Sequence, residues 1–79
     1  MLTFAPMATK LAVPTPAQIR AAREAAGLTQ AEAAELVHAA SYRTWQNWEV
    51  DANDKEHRDM GLAEWELFLI KTRQMRKGG

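Results

Sequence analysis

The sequence predicts an all-α protein, folded as a compact bundle of four to five helices. Two segments, TPAQ at residues 15–18 and TQAE at residues 29–32, have the Thr-x-x-Gln or Thr-x-x-Glu pattern of a capping box at a helix start. Apolar residues also recur at the spacing of one helix face, as Trp45 and Trp48 do. A chain of 79 residues holds one modest core, so we expect a single domain.

The composition argues against several classes of protein. The chain has no cysteine and only two histidines, so we expect no disulfide, no metal site and no cofactor. The segment DANDKEH at 51–57 begins like a calcium loop, but Lys55 and Glu56 occupy its fifth and sixth positions, which disfavours calcium. Neither a glycine-rich phosphate loop nor a nucleophile elbow is present, so the sequence does not predict an enzyme.

The formal net charge is zero, which by itself gives no general attraction to nucleic acid. The charges are unevenly distributed, however, because acidic residues are concentrated between positions 51 and 66. The basic residues include Arg20, Arg23, Arg43 and several in the C-terminal tail. We therefore expect a polarised molecule with one basic face.

The chain divides into a predicted flexible N-terminal arm at residues 1–14, a helical domain at 15–74 and a basic tail at 75–79. The arm contains Pro6 and Pro14 and has no helical apolar stripe. No apolar run approaches the roughly 18 residues that a membrane helix needs. The expectation is a cytoplasmic protein without a membrane partner.

The first three helices have recognisable boundaries. Helix one is expected at about 16–26, with Thr15 as its N-cap and Gly27 as its left-handed end. Helix two is expected from the Thr29 cap to about residue 37, followed by a turn at 38–40. Helix three is expected at about 42–50 with Ser41 as its N-cap, and its two tryptophans, Trp45 and Trp48, are expected in the core.

A polar segment at 51–59 predicts an exposed loop, and a last helix follows it. Its apolar residues cover a wider surface than one core contact requires: Leu62, Trp65, Leu67, Phe68, Leu69 and Ile70. We therefore expect this helix both to pack on the domain and to form a homodimer interface through Trp65, Phe68 and Leu69.

The segment 28–49, LTQAEAAELVHAASYRTWQNWE, resembles the helix-turn-helix of the phage-repressor-like Cro/CI (XRE) family. Nine of its residues match that family's pattern in order and type: Leu28, Thr29, Gln30, Ala34, Val37, Ser41, Thr44, Trp48 and Glu49. The likeness covers about residues 16–50. It implies a lambda repressor-like DNA-binding domain, with Ala34 small because helices two and three cross closely there.

By this resemblance, the protein is a sequence-specific transcriptional regulator. It would be a dimeric repressor, similar to phage or prophage regulators that repress their own operon. The helix at 42–50 would enter the major groove of double-stranded DNA and read a short inverted repeat. The implied DNA-binding residues are Gln30, Ser41, Tyr42, Arg43, Thr44, Gln46 and Asn47.

The chemistry of these residues suits that role. Arg43 has the geometry to bind guanine, and Asn47 or Gln46 to bind adenine, through paired hydrogen bonds. Gln30 and Thr44 align with phosphate contacts of the family, while Tyr42 suits a thymine methyl or a phosphate. The family also pairs an arginine of helix one with the glutamate that ends helix three. This implies an ion pair between Arg23 and Glu49.

Two features depart from the family pattern. His38 stands where the family usually has glycine, and the turn contains one additional residue before Ser41. The polar loop at 51–59 is also longer than the family's usual link.

A second hypothesis remains open beside DNA binding. The same helices suit a protein-interaction module, such as an antitoxin-like or adaptor domain, that uses the apolar C-terminal helix. The net charge of zero is compatible with that alternative. The other interpretation of residues 28–49 is an amphipathic helical hairpin in a bundle that is unrelated to this family.

Overall fold

The computed structural model describes residues 12–74, which form four helices and no strand. These are α1 (Pro16–Ala25), α2 (Gln30–Leu36), α3 (Tyr42–Glu49) and α4 (Leu62–Lys71). The all-helical prediction is confirmed for this part of the chain. Most of the predicted arm and the whole predicted tail lie outside the described residues, although Pro14 is described and buried.

Both predicted capping boxes are confirmed. The Thr15 hydroxyl accepts a hydrogen bond from the Gln18 amide at 3.1 Å, and the Gln18 side chain accepts one from the Thr15 amide at 2.9 Å. Thr29 and Glu32 repeat the arrangement with the same two distances. Each box satisfies backbone donors that the first turn of a helix leaves without partners.

Three of the helices end in the same way, with a residue in the left-handed conformation. Gly27, His38 and Arg73 have φ angles of 73°, 59° and 63° after α1, α2 and α4 respectively. In each case the following amide donates to a carbonyl five residues earlier, as Ala39 does to Ala34 at 2.9 Å. This is the Schellman motif, and His38 adopts it although it carries a Cβ.

The start of α3 is partly as expected. Ser41 occupies the N-cap position, but its side chain makes no capping hydrogen bond. The first turn is instead closed through the backbone, where the Thr44 amide donates to the Ser41 carbonyl at 3.1 Å. Lys71 of α4 helps to hold the preceding turn, because its Nζ donates to the Leu36 carbonyl at 3.0 Å.

The core lies between the four helices. Its largest fully buried side chains are Trp45, Phe68, Ile19 and Met60. The Trp45 ring meets Trp48 edge to face, with centroids 5.4 Å apart, and lies 5.0 Å from the Phe68 ring. The prediction that the tryptophans are core residues is confirmed. Within this core, α2 and α3 pack most extensively against each other, while α1 packs on α3 and α4 packs on α2.

The prediction of a dimer surface on α4 is wrong for two of its three residues. Phe68 is fully buried and Trp65 is 9% exposed, because both side chains pack in the protein's own core. Leu69 is half-buried against the same core. The large apolar residue that α4 does expose is Leu62, at 43%. None of the four helices is long and apolar enough to cross a membrane.

The segment between α3 and α4 is a chain of turns without a helix. Asp51 and Asp54 each accept a hydrogen bond from the amide two residues later, at 2.8 and 2.7 Å. The loop is attached to α3, because the Arg58 amide donates to the Asn47 carbonyl at 3.0 Å. It then returns to the core at Met60, an anchor that the sequence reasoning missed.

Replacing His38 with glycine should raise the free energy of unfolding by about 1 kcal/mol. The left-handed conformation costs a residue with a Cβ about that much and costs glycine little. Chemical denaturation of wild type and His38→Gly measures the difference. Ala40→Gly is the control, because Ala40 lies in the same turn without a positive φ. If His38→Gly were no more stable than the wild type, the cost assigned to the left-handed conformation of His38 would be contradicted.

Candidate nucleic-acid interface

The surface of α3 opposite the core is polar. Trp45 and Trp48 are buried on one side of this helix, whereas Tyr42 is 46% exposed and Arg43 is exposed on the other. Gln46 and Asn47 are half-buried. The prediction that the tryptophans lie inside is confirmed, and the prediction that the polar residues lie outside is confirmed for Tyr42 and Arg43 and only in part for Gln46 and Asn47.

A cleft of about 330 Å³ opens beside this polar surface. Four of its lining residues come from α3: Arg43, Gln46, Asn47 and Glu49. The other side chains of interest come from α1, α2 and the loop: Arg20, Gln30, Asp54 and Glu56. The cleft is therefore a junction at which three helices and the 51–61 loop each contribute polar groups.

The carboxylate of Glu49 lies at the base of this junction, with 2% of its side chain exposed. Arg23 binds it through two hydrogen bonds, from Nε to Oε2 at 2.6 Å and from a terminal nitrogen to Oε1 at 3.1 Å. Trp45 Nε1 donates to Oε2 at 2.5 Å, and Gln30 Nε2 donates to Oε1 at 3.1 Å. The ion pair expected from the family resemblance is thus present, with three further donors that were not expected: Trp45, Gln30 and, at 3.4 Å, Arg20.

These contacts determine the charge of Glu49. Burial on its own raises the pKa of this carboxyl, but hydrogen bonds from Arg23, Trp45 and Gln30, together with the charge of Arg23, hold the pKa below its ordinary value of 4.5. The hydrogen bond to Glu49 likewise raises the pKa of Arg23. Both partners are therefore charged at neutral pH, and the pair links α1 to the end of α3.

The structure brings four of the seven predicted DNA-binding residues to the cleft: Gln30, Arg43, Gln46 and Asn47. Gln30 is half-buried and already donates to Glu49, but an amide nitrogen carries two hydrogens, so the second remains able to donate outward. The other three lie at the N-cap and in the first turn of α3 and do not line the cleft. Ser41 and Tyr42 are exposed there, and Thr44 is half-buried.

Sequence reasoning missed three residues of this surface. Arg20 precedes Arg23 by three positions, a spacing that places both on one face of α1 and was the available signal. Asp54 and Glu56 gave no such signal, because the path of an irregular loop is set by its turns and its attachment to Asn47. The Trp45–Glu49 hydrogen bond was also foreseeable, since these residues are four apart on one helix.

The cleft is electrically polarised. The guanidinium groups of Arg20 and Arg43 lie among its lining residues together with the exposed carboxylates of Asp54 and Glu56. Within residues 12–74 no three histidine, aspartate or glutamate side chains form a group able to hold a metal ion. The chemistry that the cleft offers is therefore hydrogen bonding and charge.

No protein-family model matches the chain, and no curated protein matches it in sequence. A function for this surface is therefore inferred from its geometry and its residues.

Removing Arg23 should destabilise the fold strongly. Arg23→Met leaves the buried Glu49 carboxylate without its nearest counter-ion, and breaking a buried pair in this way typically costs about 3–5 kcal/mol. The double variant with Glu49→Gln should be more stable than Arg23→Met alone, because it removes the unpaired charge while keeping an acceptor for Trp45. Denaturant unfolding of the single and double variants measures both effects.

Arg20→Met is the matched control for that comparison. Arg20 also approaches Glu49, but its side chain is 58% exposed and its Nε lies 3.4 Å from Oε1. Its loss should change stability by less than about 1 kcal/mol, as for other exposed ion pairs. If Arg23→Met proved no more harmful than Arg20→Met, the pair would not hold the fold together.

Proposed function

We propose that this protein is a sequence-specific DNA-binding transcriptional regulator. In this proposal α2, the turn at 37–41 and α3 act as a helix-turn-helix, and α3 enters the major groove of double-stranded DNA. The observation that carries the proposal is the two-sided character of α3. Its tryptophans are buried, and the side chains it presents at the cleft, apart from the buried Glu49, are an arginine and two amides.

Those three side chains have the donors and acceptors that base recognition needs. A guanidinium donates two parallel hydrogen bonds to O6 and N7 of guanine, so Arg43 is assigned to guanine. A carboxamide both donates and accepts, which matches N7 and N6 of adenine, so Asn47 or Gln46 is assigned to adenine. Most contacts of such proteins go to the DNA backbone, and we assign Gln30, Ser41, Tyr42 and Thr44 to that role.

Rigid support of α3 favours the same function. Reading bases requires that side chains be held in a defined position, which is best achieved on a helix anchored by packing and hydrogen bonds. Trp45 and Trp48 anchor one side of α3 in the core, and Glu49 ties its C-terminal end to α1 and α2. The polar face therefore has little freedom to move relative to the rest of the domain.

A regulator of this size would bind an inverted repeat as a pair of copies, since a two-fold pair presents two identical reading helices. Trp65 and Phe68 are not available for that pairing because they fill the core. The alternative function, a protein-interaction module that uses α4, would have the exposed Leu62 as the large apolar side chain for a partner to contact on that helix.

Selection of bound fragments from random double-stranded DNA tests the proposal, followed by affinity measurements on the selected sequence. We expect enrichment of a defined motif containing guanine and adenine. Arg43→Ala and Asn47→Ala should each lower the affinity for that motif about tenfold, because one paired contact is worth about 1–3 kcal/mol. Their effect on an unrelated duplex should be smaller, because lost base contacts matter only where the bases match.

Arg73→Ala is the control, because it removes the same charge at an exposed position that does not line the cleft. Binding of the wild type should also weaken steeply with added salt, as counterions are released from DNA. A selection without enrichment, or a double variant Arg43→Ala with Asn47→Ala that binds the motif as tightly as Arg73→Ala, would overturn base reading by α3. A salt-insensitive complex with a protein instead of DNA would favour the interaction module.

A further inference from the structure

Arg20 is the residue that α1, which lies outside the helix-turn-helix, contributes to the cleft. It lies on α1, its side chain is 58% exposed, and it lines the same cleft as Gln30 and Arg43. Its contact with a described side chain is made by Nε, 3.4 Å from Glu49 Oε1. Among residues 12–74 its terminal guanidinium nitrogens have no hydrogen-bond partner, so they remain able to donate to a ligand.

The charge of Arg20 is not needed to neutralise Glu49. Arg23 already supplies one positive charge through two short hydrogen bonds, and Trp45 and Gln30 donate to the same carboxylate. The Arg20 contact is the longest of the five, and exposed pairs of this kind contribute little to stability. Arg20 therefore brings to the cleft a positive charge that Glu49 does not need, although the exposed Asp51 lines a neighbouring pocket with it.

The loop contribution to the cleft has the opposite sign. Asp54 and Glu56 are exposed carboxylates, and the loop that carries them is held in shape by the hydrogen bond from the Glu56 amide to Asp54 Oδ1. Their charge repels a phosphate that approaches the loop. An anionic strand entering the cleft is thus favoured at Arg20 and disfavoured at the loop.

We propose that Arg20 binds a phosphate of the DNA backbone, with Gln30 donating its second amide hydrogen to the same strand. Gln30 and Arg20 donate to the same Glu49 oxygen, so the two groups lie side by side. A guanidinium fork matches two phosphate oxygens. This inference rests on the proposed function and extends it, because it places the backbone on the α1 side and away from Asp54 and Glu56.

The test compares Arg20→Gln, Arg20→Lys and Arg73→Gln in binding to the selected duplex and to an unrelated duplex over a series of salt concentrations. A phosphate contact carries no sequence information, so Arg20→Gln should weaken binding to both duplexes by the same factor. It should also reduce the slope of log affinity against log salt by about 0.9, the value for one phosphate. Arg20→Lys should keep most of the slope, and Arg73→Gln should leave it unchanged.

The outcomes separate this inference from the proposed function. A wild-type chain that binds no duplex overturns both. Normal wild-type binding with the same salt slope in Arg20→Gln and Arg73→Gln overturns the phosphate contact alone. A loss confined to the selected duplex overturns it too, because Arg20 would then read bases. Arg20→Gln and Arg73→Gln should unfold at the same temperature. A normal melting curve of Arg20→Gln, together with a reduced slope of log affinity against log salt, supports the phosphate contact.

Discussion

The arrangement of the first three helices depends on the buried carboxylate of Glu49. It is the last residue of α3, and it accepts hydrogen bonds from Arg23 on α1, Gln30 at the start of α2 and Trp45 one turn earlier in α3. A charge removed from water is tolerated only when its partners are close and well oriented. The position of each helix end is therefore constrained by the need to keep this carboxylate satisfied.

That constraint also creates the candidate site. Holding the end of α3 against α1 and α2 places the polar face of the helix next to Gln30 and Arg20, side chains that lie far away in sequence. The loop after α3 is attached at the Asn47 carbonyl, so its acidic residues share the same cleft. A molecule with no net charge can in this way present a locally basic surface beside an acidic one.

Local rules were sufficient for most of the fold. The capping boxes at Thr15 and Thr29, the left-handed Gly27 and the buried Trp45 and Trp48 each follow from short-range spacing, and all are confirmed. The features that depend on tertiary packing were harder to predict from the sequence. Whether Trp65 and Phe68 face the core or a partner cannot be read from the apolar width of one helix, because that width does not show how much surface the rest of the chain covers. The burial of Met60 and the position of Asp54 beside α3 depend on a loop path that no periodic pattern encodes.

The most direct test of the central claim is an NMR titration of the labelled protein with a duplex selected from random sequence. The indole N–H of Trp45 reports on the Glu49 contact, and the amides of α3 report on the proposed reading face. The expected result is that resonances of Arg43, Gln46, Asn47 and Gln30 shift most, while those of the exposed α4 residue Leu62 stay in place. Shifts concentrated on α4, with the α3 face unchanged, would contradict DNA recognition by α3.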